Sequence, residues 1–123
     1  MYDNTPNQGM RCIQDIVRRF EAHYDWKIYD VRGKAEVPGM DCDIYISTGG
    51  PGSPFDGDGT WDVRYFDWLQ QVWDWNQIPG NRKKYVFFIC HSFQMAVRYF
   101  ELAEVTERKS MSFGTFRCHM TDA

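Results

Sequence analysis

Apolar positions along this chain switch between two rhythms. After the turn-forming Asn4-Thr5-Pro6-Asn7, the residues Met10, Ile13, Ile16, Val17 and Phe20 recur at steps of three and four, which predicts an amphipathic helix from about Gln8 to about His23. Trp26-Lys27-Ile28-Tyr29-Asp30-Val31 then alternates with period two, and Cys42-Asp43-Ile44-Tyr45-Ile46-Ser47 does so again, so both are predicted strands. Helical spacing returns from Trp61 to about Gln77. There Trp61, Tyr65, Leu69, Val72 and Trp73 make one face, while Phe66, Trp68 and Trp75 leave a second aromatic surface; core packing is the expected role of these rings, ahead of a partner-binding face. Tyr85-Val86-Phe87-Phe88-Ile89 is a continuous apolar run, the pattern of a strand buried on both faces. Beyond it, Gln94, Ala96, Val97, Phe100 and Leu102 are spaced as in a helix, and 105–111 and 113–119 read as short extended segments. Strands alternating with helices predict an α/β domain built on a mostly parallel sheet.

Length sets the scale of that domain: 123 residues suffice for one core and not for two. A hydrophobic fraction of 43% with 25% charged residues places the chain among folded rather than disordered proteins. The net charge of -3 gives no electrostatic reason to expect nucleic acid, because phosphate binding leaves a basic footprint. No apolar stretch approaches the ~20 residues of a membrane span, and the polar N-terminus does not resemble a secretory signal, so a cytoplasmic protein without a membrane partner is expected. Four cysteines, Cys12, Cys42, Cys90 and Cys118, are scattered without the close pairs that zinc sites use. Reduced thiols and no structural metal are therefore expected.

One of those thiols stands at a chemically favoured place. In an open parallel sheet, ligands collect at the carboxyl ends of the strands, and a residue in the sharp turn from strand to helix projects into that crevice. Cys90 ends the run Phe88-Ile89 and is followed at once by His91-Ser92-Phe93-Gln94. A helix beginning near His91 would aim unpaired amides and the positive end of its dipole at the sulfur, the setting that makes a nucleophile of a cysteine. The earlier strand ends in Ser47-Thr48-Gly49-Gly50-Pro51-Gly52-Ser53-Pro54, where glycine permits close backbone approach. This loop lacks the Gly-Lys-Ser/Thr ending and the Gly-x-Gly-x-x-Gly spacing of nucleotide sites.

Together the two strand ends resemble the class I glutamine amidotransferases, in an element order that covers most of the chain and includes the Tyr2-Asp3-Asn4 loop. The resemblance implies a flavodoxin-like open sheet with helices on both faces. It implies that Cys90 attacks the amide of L-glutamine, and that the backbone amides of Gly50 and His91 form the oxyanion hole. Gln94 and Gly52 would bind substrate, no metal or organic cofactor would be needed, and ammonia would pass to a synthase domain or subunit. Two departures stand out: Phe88 and Ser92 occupy the places where the family's elbow carries glycine, and no His-x-Glu pair follows to complete the triad. His23 is expected at a helix end far from the strand ends, His91 to point away from its neighbour Cys90, and His119, followed by Thr121-Asp122, in an edge strand or tail. With little apolar sequence before Pro6, the chain reads as a domain truncated at both ends. It is expected not to hydrolyse glutamine by itself, and to self-associate through sheet edges and apolar surface left uncovered.

Two other readings fit parts of this pattern. The Ile89-Cys90-His91 triplet also resembles the intracellular protease and deglycase superfamily, although the glycine-proline loop and Gln94 favour the amidotransferase. A flavodoxin-like binding domain with an inert cysteine and a partner-binding tryptophan helix is the non-enzymatic reading. The stretch Asp56-Gly57-Asp58-Gly59-Thr60 reads as a solvated turn first, and as a mobile lid or partner contact second.

Overall fold

A computed structural model describes residues 1–2, 6–107, 109–110 and 117 of the chain. Its elements, in order, are α1 (Gln8–Arg18), α2 (Val31–Lys34), β1 (Ile44–Ser47), α3 (Trp61–Gln77), β2 (Tyr85–Phe88) and α4 (His91–Tyr99). β1 and β2 pair in parallel with Ile44 opposite Tyr85 and Ser47 opposite Phe88. Parallel neighbours need a crossover, and α3 supplies it. The described residues thus form a mixed α/β structure around a two-stranded parallel sheet. None of its helices is long and apolar enough to cross a membrane.

Helix α3 carries the core. It buries Trp61, Tyr65, Trp68, Leu69 and Val72, which gather with Met1, Val31, Tyr45, Met95 and Ala96. Trp68 therefore belongs to the buried face, and Trp73, 51% exposed, does not. At ~100° per residue, positions 61, 65, 68 and 72 lie close to one line, whereas Trp73 is turned a full residue step from Val72. Trp68 meets Tyr45 of β1 edge to face at 5.2 Å, and Trp73 rests on Phe100 at 5.3 Å. The C-terminal end of α3 is tied to the start of β2 by Asn76, whose side chain both donates to the Lys84 carbonyl and accepts from the Lys84 amide.

Three expectations need correction. The continuous run at β2 is not buried on both faces: Tyr85 and Phe87 are 65% and 64% exposed, and with Ile44 and Ile46 they form a sheet face turned away from the core. Only Tyr45 and Ser47 of β1, with Val86 and Phe88 of β2 partly buried, face inward. The predicted strand at 26–31 does not form. Trp26 to Asp30 is irregular, and Asp30 instead accepts from the Gly33 amide at 2.9 Å, starting α2 where the alternation would have continued. Lastly, α1 stops at Arg18 rather than near His23. Beyond it the amides of Arg19, Phe20, Glu21 and His23 bond three residues back, so the helix tightens into turns. The segment 113–119 predicted as extended lies almost wholly outside the described residues, and 105–107 and 109–110 form no strand.

Candidate functional site

Both strands deliver their chains to the same end of the sheet. β1 runs out through Ser47, Thr48 and Gly49, all buried, and the Ile89 amide donates to the Ser47 carbonyl at 2.9 Å, extending the pairing one step past β2. At the next residue the chain turns into α4. Cys90 sits on that turn with φ 54° and ψ -110°, exposed and immediately before the helix. Side chains other than glycine rarely hold a positive φ, and such a conformation costs on the order of 1–3 kcal/mol unless its surroundings enforce it.

Ser92 is the residue that enforces it. Its side chain is wholly buried, accepts from the Ile89 amide at 3.1 Å and donates to the Ser47 carbonyl at 2.6 Å. One hydroxyl thereby joins the end of β1, the end of β2 and the first turn of α4. Beneath it, Tyr65 of α3 is hydrogen-bonded to the Ser47 hydroxyl at 2.7 Å, and burial pushes its phenol up to about 12. The departure from glycine at position 92 is thus used for polar bonding.

The glycine-proline loop closes over this turn. A side chain at Gly49 would begin 3.3 Å from Cys90 Cβ and 3.5 Å from the Ile89 carbonyl, so the loop lies in close contact with the thiol-bearing residue and a larger residue there would press on it. Gly50 is backed by the Met1 carbonyl, which a Cβ there would strike. Gly52, at φ +90°, lies beside Arg32 and Asp56. Three carbonyls of the loop are held from outside: Arg32 donates to Pro51 at 2.5 Å, His91 Nε2 meets Ser53 at 3.1 Å and Arg98 donates to Pro54 at 2.9 Å. Arg32 also stacks over Trp61 at 5.0 Å, and Arg98 over Phe55 at 4.8 Å.

His91 is 1% exposed, with Nε2 on the loop and Nδ1 buried without a partner among the described residues. Burial lowers its pKa from the ordinary histidine value, with the positive charges of Arg32 and the Met1 ammonium acting the same way; the Ser53 bond and Asp56 oppose them. Its ring is thereby committed to the loop. Gln94 is exposed in the first turn of α4, and its backbone N–H donates to the Cys90 carbonyl at 3.1 Å. His23 is exposed beyond the end of α1, and His119 lies outside the described residues, as do Asp3 and Asn4.

Asp56 to Thr60 behaves as a turn. Asp56 accepts from the Ser53 amide, Asp58 from the amides of Thr60 and Trp61, and Asp62 from that of Gly59. Asp58 thus serves the start of α3, where Thr60 makes no side-chain cap. An open cavity of about 300 Å³ lies beside this turn, lined by Arg32, Asp56, Gly57, Asp58 and Trp61.

Sequence reading missed Tyr2 as a site residue. Its hydroxyl lies 3.8 Å from the place where a Gly49 side chain would begin, and burial followed by the nearby Cys90 raises its pKa above the usual tyrosine value. Gly9, in the first turn of α1, leaves room for the phenol, since a Cβ there would start 2.8 Å from it. No family model matches the chain, and no curated protein or solved structure matches it either.

Proposed function

We propose that this chain is the glutaminase part of a class I glutamine amidotransferase, its β1–α3–β2 unit belonging to a flavodoxin-like open sheet. The observation that carries the reading is the backbone of Cys90: a non-glycine residue held at positive φ, exposed, between a parallel strand and a helix, with Gly49 against its Cβ. Strain of this kind is kept where the side chain has to be presented rather than packed.

In the proposed reaction, Cys90 Sγ attacks the γ-carbonyl carbon of L-glutamine. A sulfur–carbon bond forms, the carbon–nitrogen bond breaks, and the leaving nitrogen takes up the thiol proton and departs as ammonia, leaving a γ-glutamyl thioester on Cys90; its hydrolysis by water belongs to the complete glutaminase, because this chain is not expected to turn glutamine over by itself. The amides of Gly50 and His91 would meet the negative charge that develops on the carbonyl oxygen. Fixing the loop carbonyls by Arg32, His91 and Arg98 favours this role, because donors held in place before reaction need no reorganisation during it. Gln94 and Gly52 would hold the substrate, and ammonia would pass to an acceptor on another domain or subunit. The His91 ring, bound to the Ser53 carbonyl, is not assigned the proton transfer.

Exposure alone supplies the control for a test, because Cys12 is exposed as well. A chloroketone analogue of L-glutamine, followed by peptide mapping, is expected to modify Cys90 well ahead of Cys12, with free L-glutamine protecting Cys90. Equal modification of both thiols, unaffected by glutamine, would refute the proposal.

A further inference from the structure

We infer that the Tyr2 hydroxyl is a substrate-binding group of the Cys90 site, donating a hydrogen bond to glutamine held between the glycine loop and the thiol. The inference rests on the glutaminase reading and names a residue that reading does not use. Its basis is placement. A single point, the start of a side chain on Gly49, lies 3.3 Å from Cys90 Cβ and 3.8 Å from the Tyr2 hydroxyl oxygen, so thiol-bearing residue and phenol flank the same glycine. The backbone of the preceding residue, Met1, lies against Gly50, which fixes the phenol relative to the loop. On its other side the ring is received by Gly9 at the start of α1.

The hydroxyl makes no hydrogen bond to another described residue, although the ring is half-buried. A donor beside the thiol-bearing turn that no other described residue engages can serve a ligand, and using it breaks no bond among the described residues. Burial and the proximity of Cys90 both favour the neutral phenol, so the group offers a proton at neutral pH rather than a repelling charge. Glutamine presents a side-chain carbonyl, which accepts such a bond.

Saturation kinetics with the chloroketone analogue separate this inference from the reading beneath it. In the labelling step Cys90 Sγ displaces chloride, forming a sulfur–carbon bond while the thiol proton goes to solvent. Tyr2→Phe keeps the ring and removes only the oxygen. It is expected to raise the analogue concentration for half-maximal labelling about tenfold, the worth of one hydrogen bond, and to leave the rate with iodoacetamide unchanged. If the wild-type chain saturates and Tyr2→Phe saturates at the same concentration, the inference is overturned and the glutaminase reading stands. Equal slowing with both reagents also overturns it, since the residue would then only support the turn. A wild-type chain that shows no saturation removes the glutaminase reading and the inference with it.

Discussion

Ser92 concentrates more bonding into one side chain than any other residue near Cys90. Because its hydroxyl is fully buried between Ser47 and Ile89, Ser92→Ala is expected to leave the Ser47 carbonyl and the Ile89 amide with poorer partners, at a cost of about 1–3 kcal/mol in urea unfolding. A change below about 0.5 kcal/mol would show that the Ile89 amide bond to Ser47 suffices by itself. At this scale the sequence was only partly legible. Position 92 was readable as a residue small enough for the turn, yet the direction of its hydroxyl is set by a carbonyl 45 positions earlier. Tyr2 was less legible still. Its role depends on Gly9 and Gly49 meeting around the phenol, and no local spacing signals that encounter.

The elements reveal why some periodicities read truly and others did not. α3 occupies Trp61–Gln77 as its spacing predicts, because seventeen residues of helical pattern fix its extent, although the buried stripe takes in Trp68 in place of the expected Trp73. The alternation at 26–31 is as regular, but a strand needs a neighbour, and Asp30 has a competing local use as the cap of α2. The turn from β2 to α4 was legible from the cysteine after the apolar run; the binding of the glycine loop to that turn through His91 was not. This link predicts a pH dependence. Because the folded protein holds His91 with a pKa below its unfolded value of 6.5, the unfolded chain takes up the proton first, so the stabilising contribution is complete above 6.5 and is lost as pH falls from there through the folded value. Urea midpoints at about pH 7.5 and about pH 5.5 are expected to fall further in the wild-type chain than in His91→Gln. Equal shifts in the two proteins would contradict the account.

For the molecule as a whole, one face of the sheet carries the core and the other presents Ile44, Ile46, Tyr85 and Phe87. Parallel sheets are ordinarily covered on both sides, and the apolar content of β2 reflects that general demand even though the described residues meet it on one side. The same asymmetry places the inward-facing Ser47 and Tyr65 beneath the strand ends, where they brace the turn that presents Cys90. The proposed site then lies at one end of a small βαβ unit, with the loop from β1 and the turn from β2 as its two halves. We propose that this turn makes Cys90 a nucleophile toward glutamine. The most direct test is to mix the chain with L-glutamine, quench in acid and map the peptide that contains Cys90. The account predicts a γ-glutamyl thioester on Cys90 that is absent from Cys90→Ala. An unmodified Cys90 after prolonged exposure, or ammonia release that persists in Cys90→Ala, would contradict it.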